Sequence, residues 1–270
     1  MRTEGAMTVG ERLWEKARGL REVWEGIARA EDDLLRQFKD PVEFIDWFKA
    51  SADPVLQFHY EIGYQWGVST DVEGVKSWLR QGVWNEWAAA SDVARIVSDY
   101  RDHIDTEFMT MFAQQISDEG RHLYLRSRIL RAFGGSMEGF QPIKEWVELF
   151  ELPFVCAPKR MEWFHVRATS TLQVVELTSV YHHRGVHDAL PRNAKLMEGP
   201  YRAAAVALQE SFREIEDDEL FHWSIAERMW AKYARSPEAM RNILDCAAEA
   251  LKVATEARVR RVELAEKRAI

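Results

Sequence analysis

Asp118-Glu119-Gly120-Arg121-His122 and Asp218-Glu219-Leu220-Phe221-His222 are the two stretches on which the reading of this chain turns. Each is an Asp-Glu-x-x-His, and each sits inside a long run with helical periodicity. Residues three apart in a helix share a face, one turn above the other, so each motif aims a carboxylate and an imidazole at one point. Two such pairs, joined by one carboxylate from each of two further helices, compose the ligand set of a di-iron or di-manganese site in a four-helix bundle. A single Glu-x-x-His arises by chance in many acidic helices. Two with the same preceding Asp, far apart in an all-helical chain, form a much more specific signal.

The motifs alone leave the charge of two divalent ions uncompensated in a low-dielectric core, so further carboxylates are expected from the helix before each motif. Before the first, Glu86 is flanked by Trp84 and Trp87 and followed by an alanine run; Glu73 and Asp92 are rivals. Before the second, Glu176 interrupts the apolar run Leu172, Val174, Val175, Leu177; Glu162 and Glu210 are rivals. The expected ligand set is therefore Glu86, Glu119, His122, Glu176, Glu219 and His222. Asp118 and Asp218 cannot share the metal face with the Glu beside them. They either bond the far nitrogen of the opposite motif's His, fixing its tautomer, or bond a nearby Arg, or are solvated residues on acidic helices. Phe108, Met111, Phe112, Leu172 and Phe221 lie near the ligands at helical spacing and either line a substrate pocket or are plain core. His182 and His183 read as charges near a helix C-terminus or as access-channel groups, and His59-Tyr60-Glu61 as an alternative partner for the first motif.

Around these motifs the pattern is helical throughout. An apolar stripe runs from Leu13 to Phe38 and stops at Asp40-Pro41; a short helix through Phe48 ends at a boundary spanning Ser51 to Pro54. Further helices are expected from Pro54 to Trp66, from Val75 to Val97 with Gly82 as a weak point, and from Thr106 to Phe133, ended by Gly134-Gly135. Others follow over Gln141–Leu152, Lys159–His183 (broken at Gly185), Tyr201–Ala234 and from Ser236 to about Lys267. The last carries one apolar stripe among alternating Arg, Glu and Lys, which fits a helix on the outside of the bundle with a solvated basic face. No stretch alternates with period two, and no solenoid period is present. One domain spanning 1-270 is expected, with the metal-binding core at about 75-235.

Composition narrows the class. The chain has 270 residues, 47% of them hydrophobic, enough for a substantial core. Net charge is -8, which disfavours non-specific binding to nucleic acid. Met1 to Gly10 holds no apolar segment of signal-peptide type and no stretch is long enough for a membrane span, so a soluble cytoplasmic protein is expected. Cys156 and Cys246 belong to no CxxC and read as free thiols in a reducing compartment. The 11 tryptophans are first of all helix-interface filler, with a substrate channel as the alternative. Together with the long final helix they suggest a homodimer built on helix faces.

The run Asp118-Glu119-Gly120-Arg121-His122-Leu123-Tyr124-Leu125 resembles the first motif of the catalytic subunits of phenylacetyl-CoA and benzoyl-CoA epoxidases, within the ferritin-like superfamily. Gly199-Pro200-Tyr201, opening the helix that carries Glu219 and His222, is similar to their second. The likeness covers roughly residues 84 to 232. It implies a ferritin-like four-helix bundle with accessory N- and C-terminal helices, two Fe (or Mn, or mixed Fe/Mn), and O2 as co-substrate. It also implies a small organic substrate such as an aromatic acyl thioester, and a reductase or partner subunit. Three departures stand out. The family's first partner carboxylate falls on Ala89, one turn from Glu86; Arg121 replaces a small residue; and the interval from Gly199 to Glu219 is longer than in the epoxidases.

The leading expectation is a non-haem di-iron oxygenase or oxidase that activates O2 against an apolar or aromatic substrate. A ferroxidase or a non-catalytic partner subunit of an oxygenase complex is the alternative, the latter suggested by Ala89.

Overall fold

The computed structural model describes residues 7–267. Residues 1–6, part of the Met1–Gly10 stretch discussed above, and 268–270 lie outside the described residues. Among the described residues eleven α-helices follow one another: α1 (Val9–Gly19), α2 (Arg21–Ala28), α3 (Asp32–Leu35), α4 (Pro41–Ser69), α5 (Val72–Asp99), α6 (Thr106–Ala132), α7 (Lys144–Cys156), α8 (Phe164–Ala189), α9 (Ala194–Met197), α10 (Arg202–Tyr233) and α11 (Pro237–Glu266). Short 3-10 turns link some of them, and no strand occurs among the described residues.

Local chemistry sets the helix ends. The Asp40 side chain accepts from the Val42 N–H at 2.8 Å, and Pro41, which has no N–H to satisfy, opens α4. Asp71 caps α5 through the Gly74 N–H at 2.9 Å, and Ser236 caps α11 ahead of Pro237. Gly134, at φ 74°, closes α6: its N–H reaches the Arg131 carbonyl, and the Gly135 N–H reaches that of Leu130. That is a Schellman arrangement, which needs a residue free to adopt positive φ.

α8 is the axis of the molecule. It packs against α4, α10, α11 and α7, while α5 and α6 form a neighbouring hairpin that meets α10 through α6 and α11 through α5. Apolar side chains fill both ends of this bundle. At one end Phe44, Phe48, Phe108, Phe112, Trp223 and Trp230 pack together; at the other, Trp66, Trp78, Phe133, Leu208 and Phe212. Fully burying each such side chain stabilises the fold by about 1.5–3 kcal/mol. Between the two ends every long helix turns polar at the same level. His59 on α4, Asn85 and Glu86 on α5, Gln115 to Arg126 on α6, Glu176 to His183 on α8, Glu219 and His222 on α10, and Thr255 to Arg261 on α11 form one buried belt.

Several sequence-level boundaries are corrected. Pro54 does not restart a helix. It lies inside α4, where the missing hydrogen bond is outweighed by the core contacts of Phe48, Ala52, Val55 and Leu56 on both sides of it. Gly185 does not break α8. A Cβ there would stand 2.1 Å from the Tyr60 carbonyl oxygen, and one at Gly63 would stand 2.2 Å from that of His182. The glycines let the backbones of α4 and α8 touch. The expected helix from Leu13 to Phe38 is three pieces. α11 is not an outer helix: Arg258, Arg261 and most of its Ala and Val side chains are buried against α8 and its neighbours. Cys156 and Cys246 are not free thiols either. The folded chain brings their Cα atoms to 6.3 Å, and they form a disulfide between the end of α7 and α11. Finally, no helix among the described residues is long and apolar enough to cross a membrane.

Candidate metal centre

The belt gathers six acids and imidazoles from four helices at one point. α6 supplies Glu119 and His122, α10 supplies Glu219 and His222, α5 supplies Glu86 and α8 supplies Glu176. One ligand atom each from Glu119, Glu176, Glu219 and His222 can be chosen so that all lie within 4.8 Å of one another, and the same is true of Glu86, Glu119 and His122. Glu119 belongs to both groups, so its carboxylate could be shared if both were occupied. Glu86 reaches this point; it lies one turn before Ala89, the position on which the epoxidase pattern's carboxylate would fall. Of the rivals, Asp92 lies against Glu151 and Arg95 instead.

Both imidazoles present Nδ1 inward. His122 Nδ1 stands 3.5 Å from Glu119 and 3.7 Å from Glu86; His222 Nδ1 stands 3.1 Å from Glu219 and 3.4 Å from Glu119. Their Nε2 atoms face outward to the Asp of the opposite motif, at 2.8 Å for His122–Asp218 and 3.6 Å for His222–Asp118. Arg121 ties this outer layer together by pairing with Asp218 and Glu214, with Asp118 at 3.7 Å, and Gln114 donates to Asp118 at 2.9 Å. Gln115, one turn before Glu119, donates to Glu176 at 3.0 Å and accepts from Gln173 at 2.9 Å.

The residues fit a pair of metal ions. Glu119 Oε1 and His122 Nδ1 are fully buried and have no hydrogen-bond partner, although both point into the cluster. Orphaned buried acceptors of this kind are costly unless something binds them. The protonation behaviour agrees. Burial, together with Glu219 and Glu86, pushes the Glu119 carboxyl up to about 7. Burial, then Glu219 and Glu119, pushes Glu176 well above the usual range. Burial opposes ionisation of Glu86 as well, but Arg126 and His122 outweigh it and hold that carboxyl down to about 2. Burial alone would lower His222, yet Asp118, Glu219 and Glu119 raise it to about 10. Cations placed among these acids would compensate their charge, and the N/O donor set suits iron or manganese.

Other sequence-level candidates lie elsewhere. Phe108, Met111 and Phe112 pack in one apolar end, and Phe221 packs partly buried against it. Of the five proposed pocket residues only Leu172 lines one of the two cavities beside the centre. His59 bonds Thr255 at 3.1 Å and does not serve the first motif. His182 and His183 are mid-helix and buried, not C-terminal, with pKa values well below the usual imidazole value because of burial and nearby arginines. The residues missed from sequence are Arg258 and Arg261. Arg126 shares a helical face with Glu119 and His122, but its bond to Glu86 could not be read from that.

Comparison with profiles of known protein families, with curated proteins and with solved structures returned no match. The likeness to the epoxidase subunits therefore rests on the two motifs and their neighbours alone.

Proposed function

We propose that this chain is a non-haem di-metal oxygenase or oxidase of ferritin-like type that uses O2 to oxidise a small organic substrate, with electrons from a reductase partner. The observation that carries this reading is the pair of ligand groups sharing Glu119 inside a buried polar belt. Two iron ions held there would supply the redox step toward O2; manganese or a mixed pair would take the same donors. The chain's own residues do the rest. Four carboxylates cancel the ionic charge, Asp118 and Asp218 orient the imidazoles, and the two apolar ends keep bulk water from the centre. Pairing of Glu86 with Arg126 through one oxygen leaves the other free to bind.

Protein loaded anaerobically with Fe(II) is expected to hold two ions per chain and to consume O2 on mixing, with a change in near-ultraviolet absorption. No uptake of metal with Fe(II) in excess would overturn the reading. Steady oxidation of added Fe(II), indifferent to every organic additive, would replace it with a ferroxidase.

A further inference from the structure

A cavity adjoins the centre and is walled by three buried guanidiniums, Arg126, Arg258 and Arg261, which are 3%, 3% and 4% exposed. Arg126 pairs with Glu86. Arg258 and Arg261 pair with no carboxylate among the described residues. Arg258 donates to the hydroxyls of Thr178 and Ser179, both at 2.6 Å; Arg261 donates to the Trp78 carbonyl and lies 3.8 Å over the Trp78 ring. Donors are left over: Arg126 Nη1 and Arg261 Nε are buried without an acceptor. Gly82 makes the room, since a Cβ there would come within 3.1 Å of both Arg126 and Arg261.

The charge balance then asks for an anion. Glu86, Glu119, Glu176 and Glu219 line this cavity, and two divalent ions would cancel their four charges. Three guanidiniums remain in a low-dielectric interior, which is unfavourable without a counter-charge. A second, apolar cavity lined by Val93, Leu149, Pro153 and Leu172 adjoins the first; Ala89, Phe150, Val175 and Glu176 line both. A molecule spanning the two would have one charged end and one apolar end, and would pass directly beside Glu176.

Resting on the di-metal reading above, we propose that the substrate is a small amphiphilic carboxylate, its head held by Arg258 and Arg261 and its hydrocarbon laid in the Leu149–Leu172 slot. Guanidinium offers paired donors that match a carboxylate, and the apolar slot excludes a purely inorganic anion as the best ligand. The acyl thioester suggested by the epoxidase likeness is not needed for this recognition.

The test is calorimetric and needs no turnover. Protein carrying Fe(II) under anaerobic conditions, its metal content measured first, is titrated with benzoate and with benzamide, and likewise with hexanoate and hexanamide. Each acid should bind at least about tenfold more tightly than its neutral amide, the scale of one charge-assisted hydrogen bond. Arg258→Met and Arg261→Met should lose that preference with metal content unchanged. The wild-type comparison stands even if a variant fails to fold. Equal binding of acid and amide in metal-loaded protein overturns the inference and leaves the di-metal reading intact. A preference that survives in both variants overturns the arginine assignment, and inorganic phosphate displacing benzoate at equal concentration overturns the amphiphile. Absence of metal uptake removes both readings together.

Discussion

Nε2 of His122 stands 2.8 Å from Oδ2 of Asp218, so the imidazole of one motif is bonded to the acid that opens the other. The reverse pair, His222 and Asp118, is looser at 3.6 Å. Each doubled motif therefore does two tasks at once. Its Glu and His face inward, and its Asp orients the His on the facing helix. Asp218→Ala is expected to weaken metal binding about 10–100-fold, the usual effect of removing such a partner. Asp118→Ala should cost less. Competitive titration against a metal-sensitive dye measures both, and unchanged affinity in Asp218→Ala would refute the orienting role.

The sharing of Glu119 between the two ligand groups predicts unequal stoichiometries. Glu119→Ala should bind little metal at either position. Glu86→Ala should keep the ion held by Glu176, Glu219 and His222 and lose the other. Elemental analysis after anaerobic loading reads this directly, and equal loss in the two variants would argue against a bridging role.

Asp92 supplies a pH prediction away from the centre. Burial and the nearby Glu151 raise its carboxyl to about 7 from its ordinary value of 3.8. The folded chain thus keeps a proton that the unfolded chain releases at lower pH. That contribution is present at acid pH and is lost as pH rises from the ordinary value through about 7. Asp92→Asn should melt at a higher temperature than wild type at pH 8, with the difference vanishing near pH 4. Parallel melting curves across that range would show that Asp92 does not titrate as described.

The α4–α8 contact predicts a large effect from a single methyl group. At Gly63 a Cβ would meet the backbone oxygen of His182 at 2.2 Å, and backbone cannot swing aside as a side chain can. Gly63→Ala should therefore destabilise the protein by about 3 kcal/mol, the upper part of the overpacking range. Gly120→Ala is the control, because a Cβ there meets nothing within 4 Å. Urea unfolding of the two variants decides the matter; similar midpoints would mean the helices can part at little cost.

What could be read from the sequence was what is local. Helix type followed from periodicity, and the inward pairing of Glu119 with His122 and of Glu219 with His222 followed from their three-residue spacing. Glu176 stood out because an acid inside an apolar run needs a reason. Glu86 was harder, because the helix before the motif offers several acids and only its packing register selects one. The rest depends on which helix lies beside which. Gly185 and Pro54 look like breaks when read alone, and become a backbone crossing and an interior residue once α4 and α8 are adjacent. Arg258 and Arg261 look solvated in a charged segment until α11 is laid against α8. Cys156 and Cys246 carry no spacing signal because a disulfide over 90 residues is set by tertiary structure alone.

The crossing at Gly63 and Gly185 also gives the molecule a fixed internal frame. Helices that meet through main-chain atoms cannot roll or slide past one another, so α4 and α8 form a fixed frame, and Glu176 is mounted on it. The α5–α6 hairpin has no such weld to the frame, and it carries Glu86, Glu119 and His122. Any adjustment of the ligand set to a bound ion is then expected to come from the hairpin, while Glu176, the reference point against which the others are positioned, stays still.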